Sequence, residues 1–259
     1  MMSNKKDTDY FLSKVPALKN PIFAIATFLY IALLFLMAMI FFYFMDKLIW
    51  FAPLINQLIM VIVTVVIGYL HIKTSNAYRK KYKELAYQYH FYHIMIPYLV
   101  AWYACFFHPL FIKGEALMPY WISIPLGILC IVITVLTNIH IERAGFKNIT
   151  HGMDIFSIYP EETSAVHGEI YSYIRHPLYF SLIVGALGLS LFMNNWMSVS
   201  VALFIILPSL IIGRIEDNEL LKRYGNQHKQ YIKNTAMLFP IRKLIQYFRL
   251  LLFISYKKQ

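Results

Sequence analysis

Long apolar runs separated by short polar segments dominate this chain. A helix needs ~20 apolar residues to span the hydrocarbon core of a bilayer. Runs that reach or approach this length cover residues 22–45, 51–70, 91–112, 120–139, 178–193 and 196–213. The last two are short and are joined only by Asn194 and Asn195, which predicts a tight helical hairpin. The pattern therefore predicts an all-α integral membrane protein with about six transmembrane helices.

The composition supports a membrane location. Of the 259 residues, 59% are hydrophobic and only 14% are charged, which is more apolar than a soluble domain requires. A net charge of +11 would suggest a nucleic-acid partner in a soluble protein, but basic residues that flank spans instead contact anionic lipid. We therefore expect no nucleic-acid partner. Cys105 and Cys130 both fall inside apolar runs, so the sequence indicates neither a disulfide framework nor a metal site.

The distribution of Lys and Arg predicts the orientation. The N-terminus, the segments 73–83 and 140–176, and the chain after residue 213 hold 22 of the 24 basic residues, and the intervening loops hold only Lys47 and Lys113. Basic loops face the cytoplasm, so both termini and these polar segments are predicted to lie there. We interpret the basic loop 73–84 as a topology determinant. The tail 241–259 alternates basic and apolar residues, which is typical of an interfacial amphipathic helix.

The first polar stretch of chemical interest covers residues 163–179. Pro177 suits the first position of the fifth apolar helix, which places Arg175 and His176 at the N-terminus of that helix. Free backbone N–H groups and the helix dipole favour an anion there, and Arg adds a planar cation. Tyr171 and Tyr179 offer flat faces and hydroxyls. The alternative is a positive-inside arginine within an interfacial tyrosine belt.

A second polar stretch, residues 214–231, begins where the sixth apolar run ends. Glu216 and Asp217 are not explained by the positive-inside rule and are candidates to bind an amino-bearing ligand facing the first stretch. The alternative is a solvated helix face with Glu216–Lys222 or Glu219–Arg223 pairs, the latter at i, i+4 spacing. Gly225 is predicted to terminate this helix.

Histidines also occur near the third apolar run. His90 and His93 are spaced to share a helix face, so they either belong to an interfacial aromatic belt, which we favour, or line a substrate cavity. The pair lacks a third ligand with clear spacing, so we expect no metal site. Asn138 and His140, at the end of the fourth run, are interpreted as capping residues.

The two polar stretches together resemble the isoprenylcysteine carboxyl methyltransferase family and its phospholipid and thiol methyltransferase relatives. The resemblance is confined to about residues 163–240 and consists of two spaced motifs separated by an apolar hairpin. The matching residues are Tyr171, Arg175, His176, Pro177, Leu178, Tyr179, Glu216, Asp217, Leu220, Tyr224, Gly225, His228, Tyr231 and Pro240. No G-x-G-x-x-G pattern of a soluble dinucleotide-binding domain occurs.

The resemblance implies a membrane-embedded methyltransferase that uses S-adenosyl-L-methionine. The acceptor would be a lipophilic or small molecule reached from the bilayer; the sequence does not predict the oligomeric state. The implied cofactor contacts are Thr163, Ser164, Ala165, Val166, Tyr171, His176, Pro177, Leu178, Tyr179 and Glu216. Candidates for a catalytic role are Arg175, His176 and Arg214, and further candidates for accepting a proton are His167 and Glu169.

This interpretation divides the chain into three parts. Residues 1–150 form a four-span region that includes the basic loop 73–84. Residues 151–240 form the methyltransferase-like region with its cofactor motif and hairpin. Residues 241–259 form the amphipathic interfacial tail.

Four positions depart from the family pattern. The family has a glycine two residues before the position of Tyr171, where this chain has Glu169, and another two residues after that of Tyr179, where it has Ser181. Asp217 replaces the second glutamate of the family's Glu-Glu pair. Ile212 occupies the position at which prenylcysteine enzymes have a substrate-binding arginine. This difference counts against a prenylcysteine carboxylate as the acceptor.

Two other functions remain open. A membrane reductase of the sterol type would use NADPH and a similar C-terminal region, but such reductases carry Asn before the motif tyrosine and Gly-Glu after it. Here Leu178 precedes Tyr179, and Phe180 and Ser181 follow it. The other alternative is a non-enzymatic membrane protein whose site has decayed.

Overall fold

The computed structural model describes residues 2–144, 157–162 and 168–254, with side chains from residue 8 onward. Regular structure in these residues is helical, with β-pairing confined to isolated bridges. The α-helices are α1 (Met2–Lys14), α2 (Pro21–Met45), α3 (Ala52–Lys73), α4 (Ser75–Tyr82), α5 (Ala86–His90), α6 (Ile96–Phe107), α7 (Tyr120–Arg143), α8 (Pro177–Met193), α9 (Trp196–Leu203), α10 (Ile206–Tyr224), α11 (Asn226–Asn234) and α12 (Leu244–Leu251).

Several helical segments are long and apolar enough to cross a membrane. Among the described residues there are five, namely Pro21–Met45, Ala52–Lys73, Ser75–Phe111, Tyr120–Arg143 and Trp196–Tyr224. The remaining predicted span, α8, is apolar but has only 17 residues. These helices fit the predicted integral membrane protein. The number of spans and the orientation of the termini stay predictions.

The third helical segment differs from its prediction. It begins near Ser75 instead of residue 91 and contains a π-helical turn, Phe91–Met95. A π-helix turns through fewer degrees per residue than an α-helix, so residues three apart are separated by a wider angle around the helix axis. His90 is fully buried, whereas His93 is exposed and contacts the Tyr78 hydroxyl through Nδ1 at 3.3 Å. The two histidines thus differ in burial, although the Tyr78 ring contacts both of them, with centroids 5.1 Å from His90 and 6.1 Å from His93.

The chain forms two compact units, and the first comprises Met1–Ala104 and Phe146–Ala165. Within it, the described segment 157–162 is held by charged contacts. Glu162 accepts hydrogen bonds from the Tyr10 hydroxyl and from Lys14 Nζ at 2.5 and 2.6 Å. Glu161 accepts two from the Arg79 guanidinium at 2.6 and 3.1 Å. The N-terminal helix and the basic segment around Arg79 thus hold residues 157–162 in place. The prediction that loop 73–84 is a topology determinant did not include this structural role.

The second unit comprises Cys105–Gly145 and Val166–Gln259, and the packing of α7 on α8 forms its centre. A Cβ added to Gly188 would lie 3.0 Å from the Gly127 carbonyl oxygen, so glycines let these helices approach closely. The Thr134 hydroxyl donates to the Ser181 carbonyl at 3.2 Å, and Ser123 donates to the carbonyl of Leu191. Residue numbers rise along α7 as they fall along α8, so the pair is antiparallel.

The predicted hairpin joint between α8 and α9 is confirmed. Asn194 adopts a left-handed conformation, with φ of 51°, which ends α8. The Asn195 side chain accepts a hydrogen bond from the Ser198 N–H at 2.8 Å and so caps α9. The last apolar run is not continuous. It breaks between α9 and α10, where Pro208 lacks the N–H that would bond the Phe204 carbonyl.

The C-terminal tail contains a helix shorter than the predicted one. After Pro240 a 3-10 turn, Ile241–Lys243, leads into α12. The buried side of α12 includes Tyr247, whose hydroxyl lies 2.9 Å from the Thr137 hydroxyl on α7. Ile245 is 70% exposed. The helix therefore packs on α7 within the second unit and also exposes apolar side chains, which fits an interfacial position.

Candidate functional site

The motif at the start of α8 is held in place by the chain that follows α11. The Arg175 N–H donates to the Ala236 carbonyl at 2.8 Å, and the His176 N–H donates to the Met237 carbonyl at 3.1 Å. These bonds form a short parallel bridge around Ile174. Pro177 is the first residue of α8, as predicted, because its fixed φ suits a helix start and no hydrogen bond is lost there. The bridge and the helix start together orient the Arg175 and His176 side chains.

Asp217, on α10, is the centre of a buried charged cluster. Its Oδ2 accepts hydrogen bonds from Nε and Nη2 of Arg175 at 3.1 and 3.0 Å. Its Oδ1 lies 3.1 Å from Nε2 of His176 and 3.3 Å from Nε2 of His228. The Asp217 side chain is only 10% exposed, so these neighbours compensate for the loss of hydration around the carboxylate.

Each hydrogen bond that the structure shows for the Arg175 guanidinium goes to another residue of the protein. In addition to Asp217, Nη1 donates to the Ile232 carbonyl at 3.1 Å and to the carbonyl of Thr235. These carbonyls belong to the C-terminal end of α11 and the residue after it, where a cation is favoured. Arg175 therefore braces α10 and α11 against the motif, and its predicted catalytic candidacy has no direct support in this geometry.

Glu216 is the more accessible member of the acidic pair. The Tyr179 hydroxyl donates to its Oε1 at 2.5 Å, and Nδ1 of His176 lies 3.2 Å from its Oε2. The rings of His176 and Tyr179 stack with centroids 5.7 Å apart. The Glu216 side chain is 32% exposed. Glu216 is therefore oriented by two motif residues while part of its carboxylate stays open to a ligand.

The electrostatic setting differs between the two histidines of the cluster. Burial lowers the pKa of His176, but its contacts with Asp217 and Glu216 outweigh burial and raise the pKa to about 9. Burial also lowers the pKa of His228, and here the Asp217 carboxylate does not reverse the effect. His176 is thus expected to carry a positive charge at neutral pH, while His228 is expected to be neutral.

Two tyrosines complete the described part of the site. The Tyr231 hydroxyl donates to the Tyr171 carbonyl at 2.7 Å, which joins α11 to the 3-10 turn Glu169–Ser172. Burial raises the pKa of both tyrosines. Both hydroxyls therefore stay protonated throughout the physiological pH range.

Gly213 allows α10 to approach the motif. A Cβ at this position would lie 2.7 Å from Cε of Met237 and 3.3 Å from Cδ2 of His176. Sequence reasoning missed this glycine. The only available signal was its position about one helical turn before Glu216 and Asp217, on the side of α10 that carries them.

These features lie largely within a segment that can be compared with known families. Residues 122–227 match the phospholipid methyltransferase family. The match covers less than half of the chain and confirms the predicted resemblance, although it begins earlier than the predicted residue 163 and includes α7. It supports a membrane methyltransferase of the phospholipid or isoprenylcysteine type. No curated protein and no solved structure matched the chain.

Within the matched segment, the structure brings some predicted site residues together. His176, Tyr179 and Glu216 are in mutual contact. Pro177 is buried and Leu178 is half-buried on the first turn of α8. The predicted contacts Thr163, Ser164, Ala165 and Val166, together with His167, lie outside the described residues.

Other predictions for the second stretch have separate outcomes. Arg214 is exposed, whereas Ile212 is almost fully buried. Gly225 ends α10 with φ of 55°, as predicted, and Arg223 donates to Glu219 at 2.5 Å in the predicted i, i+4 pair. His228 matched the family order, but its contact with Asp217 was not predicted. No group of three or more potential metal ligands occurs within the described ranges.

Proposed function

We propose that this protein is a membrane-embedded methyltransferase that uses S-adenosyl-L-methionine and acts on a lipophilic or small acceptor. The observation that carries the proposal is the Glu216 carboxylate, which His176 and Tyr179 orient at the accessible side of a buried charged cluster. This arrangement lies inside the segment that matches the phospholipid methyltransferase family, whose members generally use this cofactor.

The charges of the described residues fit the amino-acid end of the cofactor. Its ammonium group requires an accessible carboxylate, and Glu216 supplies one. Its carboxylate requires a positive environment, which the N-terminus of α8 and a protonated His176 supply. When bound, the cofactor supplies an electrophilic methyl group on a sulfonium. The contribution of the chain is to orient the two reactants and to exclude water.

The acceptor side of the proposal rests on less specific features. The helices long enough to span a bilayer offer access for a lipophilic acceptor, and the polar stretches are proposed to face the cytoplasm. Ile212 is buried where prenylcysteine enzymes have an arginine, and an apolar side chain cannot bind the carboxylate of a prenylcysteine. A lipid or small molecule without that carboxylate therefore fits this chain better.

Ligand binding to the detergent-purified protein tests the proposal. Isothermal titration calorimetry is performed with S-adenosylhomocysteine and with NADPH. We expect S-adenosylhomocysteine to bind and NADPH not to bind. Glu216→Ala is expected to abolish binding because it removes the accessible carboxylate. Glu219→Ala is the matched control, since Glu219 lies on the same helix and pairs with Arg223.

The possible outcomes separate the three functions. Binding of NADPH alone would replace the methyltransferase with a reductase. Binding of neither ligand would favour a membrane protein without a functional cofactor site. Full affinity in the Glu216→Ala variant would place the site elsewhere on the chain.

A further inference from the structure

A buried histidine lies near the candidate site without belonging to the charged cluster. His140, in the last turn of α7, is 1% exposed. Neither of its ring nitrogens makes a hydrogen bond with the part of the chain that the structure describes. The Glu169 carboxylate lies beside it, with Oε2 3.5 Å from Nδ1 of His140. The ring of Phe253 stacks on the imidazole with centroids 4.7 Å apart.

Glu169 is held beside this histidine in an unfavourable backbone conformation. Its φ is +46°, in the left-handed region where residues other than Gly, Asn and Asp are rare. The preceding residue, Gly168, has φ of +91°. Glycine would occupy position 169 without strain, yet this chain has a glutamate there. Strained backbone conformations are concentrated at functional sites. The strain at position 169 therefore indicates that the Glu169 carboxylate has a function.

The packing of α7 on α8 places His140 level with the motif. Ser123 pairs with Leu191, Gly127 with Gly188, and Thr134 with Ser181. Continuing this antiparallel register toward the start of α8 brings His140 opposite Arg175 and His176, because both helices rise equally per residue. Packed helices have axes 8–10 Å apart in general. His140 therefore lies at the depth of the proposed cofactor site.

A second link runs through the short turn that carries Glu169. The 3-10 turn Glu169–Ser172 also includes Tyr171, which is a predicted cofactor contact. The Tyr171 carbonyl is bound by the Tyr231 hydroxyl, and Lys243 donates to the Ser172 carbonyl at 3.2 Å. One turn thus connects the partner of His140 with the candidate site.

We propose that His140 is the proton acceptor of the methyl-transfer reaction and that Glu169 is the positioning residue that orients its imidazole. This inference rests on the proposed methyltransferase function. It assigns the acceptor to the nucleophiles that lose a proton on methylation, namely amines, thiols and hydroxyls, and it excludes a carboxylate, which carries no proton at neutral pH.

The proposed step is balanced in atoms and electrons. The lone pair of the acceptor forms the new bond to the methyl carbon, and the carbon–sulfur bond breaks with its electron pair remaining on sulfur. The proton of the acceptor moves to Nε2 of the His140 imidazole. The Glu169 carboxylate lies 3.5 Å from Nδ1 without a hydrogen bond in this structure, and its negative charge stabilises the imidazolium that forms.

Methyl transfer from radiolabelled S-adenosylmethionine tests the acceptor class. The protein is reconstituted in vesicles that contain phosphatidylethanolamine, dodecanethiol or nonylphenol as protic acceptors, or N-acetyl-S-farnesylcysteine as a carboxylate acceptor. We expect transfer to at least one protic acceptor and none to the carboxylate. Transfer to the carboxylate, or to none of the protic acceptors, would overturn the inference. Absence of S-adenosylhomocysteine binding would instead overturn the underlying proposed function.

Variants then test the two residues with the accepted probe. His140→Gln is expected to lower the transfer rate by about 10²- to 10⁴-fold, the usual contribution of a general base, with S-adenosylhomocysteine affinity changed by no more than about twofold. Glu169→Gln is expected to lower the rate roughly tenfold or more. His93→Gln is the matched control because His93 is exposed in the first unit. A retained rate in His140→Gln, or a parallel loss of affinity, would refute the role.

A readout without turnover tests the positioning role. Nitrogen-15 NMR of histidine-labelled protein reports which imidazole nitrogen carries the proton, and His140→Gln assigns the signal. We expect the Nδ1–H tautomer of His140 in the unaltered protein and a mixture of tautomers in Glu169→Gly. Thermal stability of Glu169→Gly should be unchanged or higher, because glycine relieves the backbone strain. A loss of stability with an unchanged tautomer would show that Glu169 has only a structural role.

Discussion

Buried histidines occur in both compact units, but their surroundings differ. In the second unit, His176 lies between the carboxylates of Glu216 and Asp217, at 3.2 and 3.1 Å. In the first unit, the rings of His71 and His90 have centroids 4.9 Å apart, and His71 stacks on Tyr98 at 5.7 Å. Carboxylates stabilise a charged imidazole, whereas stacked rings mainly contribute packing.

These two groups of residues therefore serve different purposes. We call Arg175, His176, Glu216, Asp217 and His228 the carboxylate cluster, and His71, Tyr78, His90 and Tyr98 the ring cluster. Both clusters contain buried polar side chains. Only the carboxylate cluster contains a partly exposed acidic group beside a helix N-terminus. The comparison predicts that ligand binding depends on the carboxylate cluster and is insensitive to the ring cluster.

The largest effect is expected from Asp217→Ala. The substitution leaves the buried Arg175 guanidinium and two imidazoles without their shared carboxylate. Loss of one partner of a buried ion pair generally costs about 3–5 kcal/mol. Equilibrium unfolding in mixed detergent micelles measures the change. Glu219→Ala, which breaks a helix-surface pair, is the control and should cost less than about 0.5 kcal/mol. Equal effects of both substitutions would contradict a central role for Asp217.

A smaller effect is expected from raising the pH. The pKa of folded His176 is about 9, above the usual value of 6.5, so its charged form stabilises the fold fully below 6.5. That stabilisation is lost as the pH rises through about 9, and its size is on the order of 1–3 kcal/mol. The thermal midpoint should therefore fall between pH 7 and pH 10. His176→Gln should show a smaller fall, and identical pH profiles would argue against a charged His176.

Gly213→Ala is expected to lower the stability of the protein moderately. The new methyl group meets the flexible end of Met237 and the His176 ring, which the surrounding carboxylates hold in place. Overpacking of this kind costs about 1–2 kcal/mol. We expect reduced thermal stability together with weaker binding of S-adenosylhomocysteine. Asn218→Ala on the exposed side of α10 is the control. An unchanged affinity would show that the ring position does not matter for binding.

The smallest effect is expected in the ring cluster. Tyr78→Phe removes a hydroxyl that lies 3.3 Å from Nδ1 of His93 at an exposed position. The loss should be no more than about 0.5–1 kcal/mol, and S-adenosylhomocysteine affinity should be unchanged. A tenfold change in affinity would break the comparison, because the ring cluster would then take part in ligand binding.

Local rules accounted for much of the fold. The apolar runs became helices because a bilayer requires their backbone groups to be bonded internally. Pro177 begins α8, Asn194 and Asn195 form the hairpin joint, and Gly225 ends α10, since each depends on the backbone preferences of one or two residues. The motif spacing was also sufficient to predict the family resemblance in the C-terminal half.

The partners within the site could not be predicted in the same way. Asp217 and Glu216 are adjacent in the sequence, yet one is buried against Arg175 and the other is partly open. Nothing in the periodicity of α10 distinguishes them. The difference arises because α11 folds back beside the motif and brings His228 and the Thr235 carbonyl to one side of the pair.

The sequence by itself thus determined the apolar, helical character of the chain, the start and end of α8, the end of α10, and the pair of motifs. Only the tertiary structure decided that Arg175 braces the protein, that Glu216 remains available, and that His140 faces Glu169. The physical reason is range. Hydrophobic periodicity and φ restrictions act within a few residues, whereas these contacts depend on the register of α7 against α8 and on the return of the chain after α10.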